Sequence, residues 1–115
     1  TKKMVKEEDY ITIDDFDKLD LRVGEIVEAK KHSNADKLLV FKVKVGEETR
    51  QVVSGIAKHF TPEELVGKKV VLVANLKPIK LRGEESHGMI LSAEFDGKLS
   101  LLTTMDDIES GAEIR

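Results

Sequence analysis

The densest run of chemically capable side chains is Ala74-Asn75-Leu76-Lys77-Pro78-Ile79-Lys80-Leu81-Arg82-Gly83, continued by Glu84-Glu85-Ser86-His87-Gly88-Met89. An amide, three cations and a hydroxyl lie close together between two apolar stretches. Arg82 can present a planar fork to a phosphate, whereas Lys77 and Lys80 act as point charges. Asn75 and Ser86 are short hydrogen-bonding groups suited to a ribose 2′-hydroxyl or a backbone oxygen. Pro78 fixes one φ and Gly83 permits a backbone angle closed to most residues, so the loop arrives partly shaped. Such a loop fits phosphate recognition. Basic loops between strands are also common as solvated surface, and these residues alone leave both readings open.

Other chemistry finds little support. His32, His59 and His87 are scattered and lack the spacing of a metal site, so each is expected to be an exposed loop or helix residue. No Gly-x-Ser-x-Gly elbow and no GxxxxGK[ST] phosphate cradle occurs. The adjacent acids Asp14/Asp15, Glu47/Glu48 and Asp106/Asp107 sit where turns and helix starts account for them. With no cysteine there is no thiol nucleophile, disulfide framework or thiolate metal site. The expectation is a binding module with no catalytic residues, no metal and no cofactor.

The elements that must carry the loop read as short strands. Thr12 is a plausible N-cap for a short helix through Asp14 to Leu19. Leu21 and Val23 begin an extended segment whose apolar phase shifts onto Ile26, which predicts a bulge or bend at Gly24. Leu39, Phe41, Val43 and Val45 fall on one strand face, with Lys42 and Lys44 on the other. Gly46-Glu47-Glu48 closes a hairpin into Arg50–Ser54. Thr61, a capping residue, and Pro62 start a second short helix that stops at Gly67. Lys69–Leu76 reads as a central strand, followed by a polar loop. Met89–Leu91 and Leu99–Leu102 are strands flanking Asp96-Gly97, a type I′ hairpin signal. Residues 111–115 suggest a final edge. The fold class expected is all-β: a five-stranded closed OB barrel, with a short helix between strands 3 and 4 and extra N- and C-terminal elements.

The 115 residues are 40% hydrophobic and 36% charged. That length suits one domain. No apolar run approaches the ~18–20 residues of a membrane span, and nothing near Thr1 resembles a signal peptide. A cytoplasmic setting without membrane contact is expected. The net charge of −3 conceals a segregation: residues 1–20 carry −3, residues 94–115 carry −4, and residues 21–93 carry +4. From Leu65 to Gly83 there are Lys68, Lys69, Lys77, Lys80 and Arg82 and no acid. Local charge sets the field a polyanion meets within a Debye length of ~8 Å. There is no Trp, one Tyr and four Phe. Phe41 belongs to an apolar strand face, and Phe16 and Phe60 to short amphipathic turns. A base-stacking aromatic ladder is therefore hard to assemble. Cations without such platforms suit the outside of a folded RNA, read by shape.

Four segments carry a family resemblance. They are Asp15-Phe16-x-Lys18-Leu19-Asp20-Leu21-Arg22-Val23-Gly24, Asn34-Ala35-Asp36-Lys37-Leu38-Leu39, Arg50-Gln51-Val52-Val53-Ser54-Gly55-Ile56, and Val73-Ala74-Asn75-Leu76-Lys77-Pro78 through Ser86-x-Gly88-Met89. Together they resemble the tRNA-binding OB domain of methionyl-tRNA synthetases. That module also occurs in stand-alone structure-specific tRNA-binding proteins and in relatives of endothelial monocyte-activating polypeptide II. The resemblance covers residues 11–115 as one domain and leaves 1–10 as a flexible lead-in. It implies tRNA contacts at Asn75, Lys77, Lys80, Arg82, Ser86 and Met89, with Lys37, Lys42 and Arg50 extending the face. It further implies a non-catalytic module, a C-terminal appendage or separate β-subunit, that raises the tRNA affinity of methionyl-tRNA synthetase. The partners it implies are tRNA, the catalytic part of the synthetase, and a second copy in a homodimer built from the N-terminal segment and C-terminal strands. A secretion-chaperone branch with similar barrels gives the alternative, a dimeric polypeptide-binding module.

Overall fold

The alternation of apolar residues from Leu39 to Val45 forms β2 (Leu39–Val45), with Lys44 left on the solvent side. The computed structural model describes residues 6–115. Residues 1–5 of the expected lead-in lie outside the described residues, and Glu7–Asp9 forms a single 3₁₀ turn. β2 runs antiparallel to β3 (Glu48–Ser54) across the Gly46-Glu47 turn, and to the second half of β1 (Leu21–Lys31). The first half of β1 pairs with β4 (Lys69–Val73), which pairs with β7 (Met89–Ile90). At Leu21 and Arg22, β1 also accepts the terminal strand β10 (Glu113–Ile114). The main sheet is thus ordered β3-β2-β1-β4-β7.

β1 can serve two neighbours because it bends. A Cβ at Gly24 would lie 2.5 Å from Val43 Cγ1, so glycine is required where the strand crosses closely over β2. The ladder irregularity expected at Gly24 falls instead between Ile26 and Glu28. The extra residue is Val27, whose side chain turns outward. Burial still changes phase at Gly24, since Val23 and Gly24 are both buried.

The interior of the curled sheet is filled by Ile26, Leu39, Phe41, Val43, Val52, Val70 and Leu72. α2 (Pro62–Leu65) lies between β3 and β4, as expected, and buries Pro62 and Leu65. The Thr61 hydroxyl donates to the Glu64 carboxylate instead of capping a backbone N–H, correcting the cap assignment. α1 (Ile13–Phe16) has the reciprocal Thr12/Asp15 capping box that satisfies two end-on donors.

The sheet is all-β in class but open, where a closed five-stranded barrel was expected. β7 is two residues long and ladders with β4 but not with β3. In place of a ladder, backbone groups of β3 meet the segment before β7 through Val53 N–H to Ser86 Oγ at 2.9 Å and His87 N–H to Gln51 O at 2.8 Å. Beyond the curl, β8 (Ser92–Phe95) and β9 (Lys98–Leu101) form a separate hairpin through Asp96-Gly97.

Candidate nucleic-acid interface

The stretch expected to be a polar loop contains a second hairpin, β5 (Ile79–Leu81) and β6 (Glu84–Ser86), in register Ile79↔Ser86 and Leu81↔Glu84. Its signal in the sequence is short: Ile79 and Leu81 alternate with Lys80, and Arg82-Gly83 supplies the turn. Both turn residues are left-handed, Arg82 at φ 53° and Gly83 at φ 89°. Left-handed backbone at a residue other than Gly, Asn or Asp is uncommon and unfavourable. The turn therefore holds a guanidinium at the tip at a conformational cost.

The hairpin is tied down on the β3 side. Ser86 is 3% exposed, its Oγ accepting from Val53 N–H and donating to Gly88 O at 3.2 Å. Gln51 Nε2 donates to Glu84 Oε1 at 3.1 Å and to Glu85 O at 2.9 Å. Lys42 in turn donates to Gln51 Oε1 at 3.0 Å. These bonds occupy the acidic strand of the hairpin and leave its cations outward.

On the other side lies His32, which is 7% exposed and so not the exposed residue expected from the sequence. Its Nδ1 accepts from Asn34 N–H at 2.9 Å. Nε2 therefore carries the proton, and it donates to Leu81 O at 3.2 Å. One imidazole thus joins the β1–β2 loop to the β5–β6 hairpin. The same loop is held from below by Ala57 N–H to Lys37 O, 3.2 Å, and internally by Leu38 N–H to Ala35 O, 3.1 Å.

Between loop and hairpin runs a groove of about 630 Å³, lined by Asn34, Ala35, Asp36, Lys37, Leu38, Lys80, Leu81 and Arg82. Lys37, Lys80 and Arg82 are exposed, and among the described residues none has an ion-pair partner. In an OB architecture, the loop between the first two strands and the connection before the last strand bind oligonucleotides. The groove lies between those two elements.

The other expected contact residues divide. Lys77 is exposed and Met89 is 46% exposed. Asn75, by contrast, uses both ends of its amide inside the chain: Oδ1 accepts from Asp20 N–H at 2.9 Å and Nδ2 donates to Lys18 O at 2.7 Å. It ties the segment entering β1 to the end of β4. Arg50 is half-buried, its guanidinium donating to Glu48 Oε1 and to Ala74 O. Ser86 and Lys42 are engaged as described above. Asn75, Ser86, Arg50 and Lys42 therefore act first on the shape of the region, whereas Lys37, Lys80 and Arg82 meet solvent together. His32 and Gln51 were not among the residues singled out from the sequence. Each looks in sequence like an ordinary polar residue, because the partners that tie it to the hairpin, Leu81 O for His32 and Glu84 and Glu85 for Gln51, are brought close only by folding.

Among the described residues no helix is long and apolar enough to cross a membrane, and no group of three or more His, Cys, Asp or Glu side chains gathers as a metal site.

The profile of the family described as "Putative tRNA binding domain" matches residues 21–113. A methionine–tRNA ligase of Caldanaerobacter subterraneus subsp. tengcongensis is 58% identical over 114 residues, covering 97% of this chain and 18% of the ligase. The chain thus spans less than a fifth of that curated relative. Among solved structures, a methionyl-tRNA-synthetase-related protein from Pyrococcus horikoshii superposes with a TM-score of 0.88 at 39% identity, covering 93% of this chain and 99% of that one. The chaperone CsaA of Bacillus anthracis superposes with a TM-score of 0.83 at 27% identity, covering 92% and 99% respectively.

Proposed function

The chain belongs to the tRNA-binding domain family, and from that premise we propose that it binds folded tRNA without catalysing a reaction of its own. It does so in the cytoplasm, as a module that adds tRNA affinity to methionyl-tRNA synthetase and so supports aminoacylation. The observation carrying this reading is the groove in which Lys37, Lys80 and Arg82 stand unpaired over one opening. Lys77 and Met89 extend the contact, while Asn75, Ser86, Arg50 and Lys42 hold the surface that presents it. The curled sheet functions as an OB barrel, with the Ser86 and His87 bonds serving in place of a β3–β7 ladder. The scarcity of aromatic side chains favours recognition of a prefolded RNA by phosphate position and shape. The kinship with methionine–tRNA ligases supports the catalytic body of such an enzyme as the physical partner.

A homodimer is part of the same proposal. Phe95 is 80% exposed and Met105 99% exposed in the C-terminal region, and Tyr10, Ile11 and Ile13 are exposed at the N-terminal side. Large apolar side chains left in water at both ends of the chain suit a self-complementary contact. Two copies would present two basic grooves to one tRNA and gain through effective concentration.

The similarity to CsaA favours a second reading, binding of unfolded polypeptide. Competition separates the two. Native tRNA, heat-unfolded tRNA and an unfolded polypeptide are each titrated against the chain at two salt concentrations. The proposal expects native tRNA to bind best, with an affinity that falls steeply as salt rises. Displacement of tRNA by polypeptide at equal stoichiometry, with no salt dependence, would favour the chaperone reading.

A further inference from the structure

A phosphate ridge asks only for cations at the correct spacing, yet the groove between the β1–β2 loop and the β5–β6 hairpin offers more. Its lining includes Ala35, Leu38 and Leu81 beside Lys37, Lys80 and Arg82. Apolar side chains between cations add little to docking a duplex backbone, whose outer surface is dominated by phosphate oxygens. They fit a ligand that is flat and apolar on one part and anionic on another. We infer that this groove receives one unpaired nucleotide of the bound RNA, its base against Leu38 and Leu81 and its phosphate among Lys37, Lys80 and Arg82. The inference rests on the RNA-binding reading above and names the part of the RNA that enters.

Three features support it. The groove, about 630 Å³ and open to solvent on one side, has room for a single nucleotide. Its walls are fixed relative to one another by the His32 ring, both of whose nitrogens are used, so the opening is built in advance of binding. Asp36 is the only acid in the lining, and its carboxylate accepts hydrogen bonds without donating any. It repels a phosphate and attracts an amino or imino edge. The nucleotide is therefore oriented with its backbone toward Lys80 and Arg82 and its base edge toward Asp36. Guanine, which presents two neighbouring N–H donors, satisfies that edge better than uracil. Single-stranded loops and ends of folded RNAs supply such unstacked bases. Three cations against one acid favour this occupant over an uncharged polypeptide.

The test uses the whole chain with ¹⁵N-labelled amides. Guanosine 5′-monophosphate, uridine 5′-monophosphate and inorganic phosphate are titrated separately at millimolar concentration. Guanosine monophosphate is expected to move the amides of residues 34–38 and 80–82 at concentrations several-fold below those needed with the uridine compound. Phosphate alone should move residues 80–82 and leave 35 and 38 in place. In parallel, Ala35→Trp, which fills the groove without removing a charge, should weaken native tRNA about tenfold and leave the salt slope unchanged. Lys80→Ala/Arg82→Ala should lower the slope itself. If Ala35→Trp binds tRNA like the wild type while the double variant does not, the inference fails and the RNA reading survives. If neither variant alters tRNA binding, the site itself is misassigned. Should Ala35→Trp fail to fold, the nucleotide titration decides alone. Equal shifts from phosphate and guanosine monophosphate at residues 35 and 38, or shifts there from an unfolded peptide only, would overturn the inference.

Discussion

Two hairpins of this protein share a backbone design and differ in nearly everything placed on it. The β5–β6 hairpin turns through Arg82-Gly83 and the β8–β9 hairpin through Asp96-Gly97, each pair left-handed, at φ 53° and 89° in the first and 52° and 80° in the second. Both are two-residue connections of the I′ kind, whose twist matches that of the paired strands. Aspartate tolerates the left-handed position through local hydrogen bonding, but arginine has no such help. Arg82 therefore sits where a cheaper residue was available. The rest of the first hairpin is consistent with that choice. It is clamped by Ser86, Gln51 and His32, and its cations face the groove. The second hairpin is exposed along all of β8, and it puts Phe95 next to its turn. Charge held rigidly in place suits a polyanion, whereas a large apolar side chain left in water beside a turn suits another protein surface. The proposed function assigns the first hairpin to RNA and the second to a contact between copies of the chain.

That contrast can be broken most forcefully at the clamp. Ser86→Ala leaves the buried Val53 N–H without its acceptor and should cost about 1–3 kcal/mol. Chemical denaturation reads the loss, and tRNA affinity should fall with it as the cationic hairpin loosens. A trapped water that restored full stability would show that the clamp is dispensable.

Next in size is an exchange of turn residues. Arg82→Asn should raise stability by about 0.5–1 kcal/mol, because asparagine accepts the left-handed conformation. The same change should weaken tRNA by removing the guanidinium. The mirror change, Asp96→Arg, should destabilise by a similar amount without strengthening tRNA binding. If Arg82→Asn proved less stable than the wild type, the turn carries no strain and the comparison loses its premise.

The smallest stability effect belongs to Phe95. Phe95→Ser should change the unfolding free energy of an isolated chain by no more than about 0.5 kcal/mol, as for other exposed positions. It should nevertheless shift the sedimentation profile from dimer toward monomer. An unchanged profile would remove Phe95 from the proposed contact.

The sequence disclosed these two hairpins unequally, for a physical reason. Asp96-Gly97 is a strong local signal and its turn stands where expected, but the strand entering it is Ser92–Phe95, whereas Met89–Ile90, expected to flank it, pairs with β4. Arg82-Gly83 is a weak one, and the three-residue strands beside it carry Lys80, Glu84 and Glu85, so the segment reads as loop. The same rule separates the site residues. Lys37, Lys80 and Arg82 are legible because an unpaired cation on a loop acts through its own chemistry. The engagement of Asn75, Ser86 and Arg50 with backbone groups of distant segments is invisible in a linear reading. His32 looks exposed in sequence because the partner that buries it against the hairpin, Leu81 O, becomes a neighbour only in the folded chain. Alternation placed β1 and β2, turn and capping signals placed β3 and the short helix before β4, and an apolar run placed β4. They could not reveal that β7 pairs with β4 alone and leaves the sheet open, since closure depends on the geometry of a gap and not on any residue pattern.

The most direct measurement is the salt dependence of native tRNA binding to the wild type and to Lys37→Ala/Lys80→Ala/Arg82→Ala, followed from ~50 to ~400 mM monovalent salt. Each phosphate contact contributes about 0.7–0.9 to the slope of log affinity against log salt. The account predicts that the triple variant, still folded, binds more weakly at every salt concentration and with a slope lower by about 2–3. A folded triple variant with the wild-type slope and affinity would contradict it, because the groove would then lie off the path of the RNA.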